Sequence, residues 1–110
     1  TRASDYKVTH VYTNLIGANL DGAALGGSDL TGANLMAASA TDADLTGADL
    51  SGAWLIGTVL TGSNLTSTTL AGTWLGGAVL DDTTSSGIIG VPATLPAGWV
   101  LTDGSLVFTG

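Results

Sequence analysis

Leucine returns at every fifth residue along most of this chain: Leu15, Leu20, Leu25, Leu30 and Leu35, then Ala40, then Leu45, Leu50, Leu55, Leu60, Leu65, Leu70, Leu75 and Leu80. Two positions before each of these slots stands a small residue, Ala, Ser or Thr, and two positions after it usually stands Gly. The unit reads A-(N/D)-L-x-G, as in Ala18-Asn19-Leu20-Asp21-Gly22 and Ala48-Asp49-Leu50-Ser51-Gly52. A period of five matches neither the turn of a helix nor the alternation of a strand. Seventeen glycines also oppose a helix, since each interior Gly costs about 1 kcal/mol relative to Ala. The periodic route that remains is a short extended step carrying Leu inward, followed by a corner that Gly tolerates. Repetition this strict predicts a stacked, quasi-one-dimensional protein whose function lies on its outer surface.

With the central Leu, the small residue before it and the Gly after it recurring together, residues 13–82 resemble the pentapeptide-repeat family. The resemblance implies an all-β fold, a right-handed, four-sided β-solenoid with one pentapeptide per side. Fourteen slots then make about three and a half coils. In that fold the thirteen leucines and the small residues before them fill a narrow bore, a structural column with no catalytic pocket. Ala40 is the missing rung between Leu20 and Leu60, and predicts a small void or a local inward shift. The stretch Ala37-Ala38-Ser39-Ala40-Thr41-Asp42 around it also lacks the corner Gly.

The ends depart from the beat. Residues 1–12 include Lys7-Val8-Thr9-His10-Val11-Tyr12, an alternating run that predicts an irregular first strand or partial coil. Residues 83–110 form a C-terminal tail, in which the polar turn segment ending at Gly87 is followed by an apolar run from Ile88 to Gly110 carrying both prolines. Within it, Trp99-Val100-Leu101-Thr102 and Ser105-Leu106-Val107-Phe108 flank Asp103-Gly104, a two-residue hairpin signal. The run from Leu95-Pro96-Ala97-Gly98-Trp99 to Gly104-Ser105-Leu106 is similar to a segment that punctuates arrays in larger members of the family. An open sheet edge invites pairing, so the tail is expected to cap that edge or to connect to another coil.

Four units per coil would place residues twenty apart directly above one another. One side then stacks Asn14, Asn34, Trp54 and Trp74 before the leucine, and Ile16, Met36, Ile56 and Gly76 after it. Ile16, Met36, Trp54, Ile56 and Trp74 form the expected interaction face, since large exposed apolar patches mark contact sites or covered surface. Either the tail folds over Trp54 and Trp74, or another molecule does. Asp29 and Asp49 stack on a different side, where they read as a solvated acidic face rather than a calcium site.

Composition narrows the chemistry. The 110 residues hold nine acidic side chains, all Asp, against Lys7 and Arg2, for a net charge of −7. An acidic surface disfavours direct nucleic-acid binding. There is no Cys and His10 is the single histidine, so neither a thiolate nor a histidine metal site is expected, and no cofactor. No apolar run approaches the ~18 residues of a membrane span. With no nucleophile–base pair in view, the chain reads as a non-enzyme. The leading expectation is an extracellular or cell-surface structural module that binds itself or another protein. It would assemble through its solenoid ends and its apolar face, and end-to-end contacts would propagate into filaments. The family resemblance supplies an alternative, an acidic DNA mimic that binds DNA gyrase in the cytoplasm and protects it from topoisomerase poisons. The array here is shorter, its central residue is never Phe, and no C-terminal dimerising helix is evident. A third expectation is a carbohydrate-binding or adhesion module.

Overall fold

The computed structural model describes residues 13–110, so the strand expected within residues 1–12 lies outside the described residues. Each pentapeptide makes one extended step and one turn, and each step pairs in parallel with the step twenty residues later. Four columns result: Asn14↔Asn34↔Trp54↔Trp74, Asn19↔Ser39↔Val59↔Val79, Ala24↔Asp44↔Asn64 and Asp29↔Asp49↔Thr69. The rungs are backbone hydrogen bonds. From Leu15 to Leu75 each leucine N–H donates to the next coil, as Leu50 does to the Thr69 carbonyl at 2.9 Å, while from Asn34 on the residue before it donates backward, as Asp49 does to Ser28 at 3.0 Å. The outcome is a β-solenoid, elongated with a nearly square cross-section of 36 × 20 × 19 Å. Among the described residues no helix is long and apolar enough to cross a membrane.

The inward leucines fill the bore. Leu20 to Leu80 are each at most 4 % exposed, and Leu15 at the described start is partly buried. Their small neighbours share the interior, and three threonines there satisfy their hydroxyls on leucine carbonyls of the previous coil: Thr58 on Leu35, Thr68 on Leu45 and Thr73 on Leu50. At Ala40 the backbone stays in register, its N–H donating to the Val59 carbonyl at 2.7 Å. Corners take a left-handed backbone throughout. Where Gly is missing, Ala37, Asp42, Ser67 and Asp82 adopt φ of 59°, 57°, 59° and 60°.

The ladder runs on where the leucine beat stops. Asn64↔Thr84, Thr69↔Ile89 and Trp74↔Thr94 carry three columns past residue 82, where the sequence placed the start of a single tail. A rung needs only correctly spaced N–H and C=O groups, so the coil survives the loss of its leucines at Ser85 and Gly90. Ile88 turns inward instead and is 9 % exposed. Only then comes the hairpin, β1 (Trp99–Thr102) and β2 (Ser105–Phe108). Asp103 and Gly104 join the strands at φ of 49° and 76°, the pair of left-handed residues that a type I′ turn requires. The hairpin lies across the end of the bore. Ile88 N–H donates to the Gly104 carbonyl at 2.9 Å, Leu106 N–H donates to Ser85 Oγ at 2.9 Å, and Leu106 is 7 % exposed. Leu95, Trp99 and Leu101 pack beside it against the core.

Candidate interaction site

The residue just before each leucine decides what an outer side presents. At Asn14, Asn19, Asp29, Asn34, Asp44, Asp49 and Asn64, the side-chain Oδ1 accepts the N–H two residues on and closes the corner. This local bond is the reason the unit carries Asn or Asp there. The signal for it in the sequence is the identity of the residue, since Asn and Asp both carry an Asx oxygen.

Hydroxyls reinforce several of these carboxylates. Ser51 Oγ and then Ser51 N–H hold Asp49 below its ordinary carboxylate range; Thr46 does the same for Asp44, by its hydroxyl and then its N–H. Asp21 is lowered by the Ser39 hydroxyl and the Thr41 N–H. Asp29 and Asp49 pair in one column, each engaged in its own turn. Among the described residues no three His, Cys, Asp or Glu side chains converge to hold a metal.

At Trp54 and Trp74 the turn-closing residue is replaced. The two indoles lie one above the other, ring centroids 6.0 Å apart and planes inclined by 38°. Trp54 is 46 % and Trp74 is 40 % exposed, with Ile16 at 57 % and Ile56 at 38 % on the same side. The tail leaves them open, because its hairpin closes the bore. Thr94 continues this column, its carbonyl accepting from Leu75 N–H and its Oγ1 from the N–H groups of Leu75 and Gly76. Met36 is half-buried and, with Asn14, Gly32, Asn34 and Trp54, borders a hollow of ≈ 380 Å³. The structure thus brings the five expected face residues to one side. It keeps Leu101 and Leu106 of the hairpin at the core, while Trp99 and Phe108 pair with each other.

Known proteins resemble the chain in sequence and in fold. Residues 13–52 and 43–82 match the family model for pentapeptide repeats, with eight copies. No curated protein matches the chain. Among solved structures, Rfr23, a pentapeptide repeat protein of the cyanobacterium Cyanothece 51142, superposes with a TM-score of 0.72 at 31% identity, over 78% of this chain and 57% of that one. HetL, a pentapeptide repeat protein involved in heterocyst differentiation regulation in Nostoc sp. strain PCC 7120, gives 0.55 at 36% identity, over 79% of this chain and 42% of that one. The pentapeptide repeat protein alr5209 from Nostoc PCC 7120 gives 0.51 at 29% identity, over 80% of this chain and 69% of that one. This chain therefore spans little more than half of Rfr23 and less than half of HetL. Repeat, ladder and relatives agree: the chain belongs to the pentapeptide-repeat family.

Proposed function

We propose that this chain is a non-catalytic interaction module that pairs with a second copy of itself through the Trp54–Trp74 column. We further infer that its coils wind right-handed, as the family resemblance implies. One observation carries the reading: the slot that on this side closes the corner with Asn14 and Asn34 holds Trp54 and Trp74 in the next two coils, and both indoles stay open to solvent. A tryptophan there contributes nothing to the turn, so its use is external.

Charge favours a second copy. Every Asp among the described residues lies outside the column of residues 14, 34, 54 and 74 and the positions 16, 36, 56 and 76. Two copies facing each other across this side join neutral surfaces and keep their carboxylates outside the contact, as a self-complementary two-fold interface requires. End-to-end stacking is less well supported, since the hairpin lies across the C-terminal end of the bore. Sedimentation velocity over a wide concentration range tests the pairing. The expected result is a reversible dimer that becomes monomeric in Trp54→Ser/Trp74→Ser. A wild-type chain that stays monomeric throughout would rule it out.

A second reading rests on the hollow beside Trp54. Asn14 and Asn34 spend their Oδ1 atoms on their own turns, which leaves their Nδ2 groups as donors next to an aromatic face, a combination suited to a sugar ring. A glycan screen with Trp54→Ala and Asn34→Ala decides it; hits that survive both variants would exclude this site.

A further inference from the structure

The C-terminal cap carries a feature that the Trp54–Trp74 column does not use. The hairpin register pairs Trp99 with Phe108, and their ring centroids lie 5.5 Å apart with planes inclined by 52°. Trp99, Phe108, Asp81 and Asp82 border one hollow of ≈ 350 Å³, a size at the lower end of the about 300–1,000 Å³ typical of ligand pockets.

Its walls are held in place from both sides. Gly98 has a φ of +86° and lies so close to Phe108 that a Cβ there would sit 2.6 Å from Cε1 of the ring. Only glycine lets the Phe108 ring stand where it does. Across the hollow, Asp82 occupies a left-handed corner at φ 60°, and the Asp81 carbonyl accepts the Gly62 N–H at 2.9 Å. Both carboxylates are thus carried on backbone fixed by the last coil. Trp99 packs partly against the core, whereas Phe108 is 60 % exposed, a large ring left in solvent beside two anions.

No residue from 13 to 110 supplies a countercharge, because Arg2 and Lys7 are the only basic side chains apart from histidine and the single histidine is His10. Aromatic faces carry negative quadrupole density and attract cations positioned over them, and paired rings beside carboxylates are the usual cradle for alkylated ammonium groups. An anion would meet repulsion from Asp81 and Asp82, and a purely apolar group would gain nothing from these two exposed carboxylates.

We propose that this hollow binds an organic cation, an alkylammonium group seated against Trp99 and Phe108 with its charge facing Asp81 and Asp82. The site is open, so its affinity for a small cation is in the millimolar range. Two sources share this chemistry: a free quaternary ammonium compound, and a methylated lysine side chain on a peptide.

Titration of the full chain with choline, followed at the Trp99 indole N–H by nuclear magnetic resonance, tests the site. Choline is expected to move the Trp99 signal saturably, while the Trp54 and Trp74 signals stay in place and report an intact fold. The neutral isostere 3,3-dimethyl-1-butanol matches choline in shape and is expected to leave Trp99 unmoved. Asp81→Asn/Asp82→Asn and, separately, Phe108→Ala are each expected to weaken choline binding by about tenfold. Equal movement with the neutral isostere would overturn the proposal, as would a Trp99 signal that choline does not move. A short peptide bearing trimethyllysine separates the sources: binding about tenfold tighter than choline assigns the site to a peptide, and equal binding assigns it to the free cation.

Discussion

Thr73 donates its hydroxyl to the carbonyl of Leu50, 2.6 Å away on the previous coil. Thr58 and Thr68 make the same bond to Leu35 and Leu45. Ser63 occupies the equivalent slot, whose counterpart is Ala40, yet its buried Oγ has no partner among the described residues. The γ-methyl of threonine restricts its side-chain rotation and aims the hydroxyl, an aid serine lacks.

This difference gives opposite mutational signs in one kind of slot. Thr73→Val removes a made hydrogen bond and is expected to cost about 1 kcal/mol. Ser63→Ala removes an orphaned buried hydroxyl and is expected to be neutral or to stabilise by up to about 1 kcal/mol. Urea unfolding midpoints measure both, and equal losses would contradict the assignment.

Corners give a second pair of opposites. Gly52 has a φ of +66° and open space around its missing Cβ, so Gly52→Ala costs only the left-handed strain less the freedom that unfolded glycine gives up, a net loss of about 0.5 kcal/mol. Ala37 already bears that strain at φ 59°, and Ala37→Gly is expected to stabilise by about 0.5 kcal/mol once the extra freedom of unfolded glycine is deducted. Thermal melts of the two variants should move in opposite directions.

In the bore, Leu55 is 1 % exposed while Leu15 is only partly buried. Leu55→Ala is expected to cost about 2–5 kcal/mol, with a clearly smaller loss for Leu15→Ala. Equal losses in denaturant unfolding would mean that the interior does not tighten inward from Leu15.

Acid should unfold the chain late. Hydroxyl and N–H donors hold Asp21, Asp44 and Asp49 below their ordinary range in the folded state, so their contribution is complete above the unfolded carboxylate value of about 3.9. It is lost progressively as pH falls from that value through the lower folded values. Stability is therefore expected to stay level from neutral pH down to about 5 and to decline below about 4. A decline already under way between those first two values would contradict the assignment, and Ser51→Ala should shift the acid limb slightly upward.

The column of leucines was legible because every central slot repeats one apolar residue, and the family followed from it. The pairing of Trp54 with Trp74 was legible too, as two positions one coil apart. The end of the ladder was not: Thr84, Ile89 and Thr94 bond through their backbones, and side-chain identity carries no trace of that. Nor did the repeat reveal where the hairpin lies, since Leu106 finds the bore through contacts distant in sequence. The Asn and Asp caps stood in plain view as part of the motif, but their bonds are local and do not alter the five-residue period.

The central claim is that one coil returns Trp54 to Trp74 on a side left open to solvent. Nuclear Overhauser spectra of dilute protein test it directly, read together with a soluble paramagnetic agent. The account predicts cross-peaks between the two indole rings, whose centroids lie 6.0 Å apart, and strong broadening of both by the agent. Rings without mutual cross-peaks, or rings shielded from the agent, would contradict it.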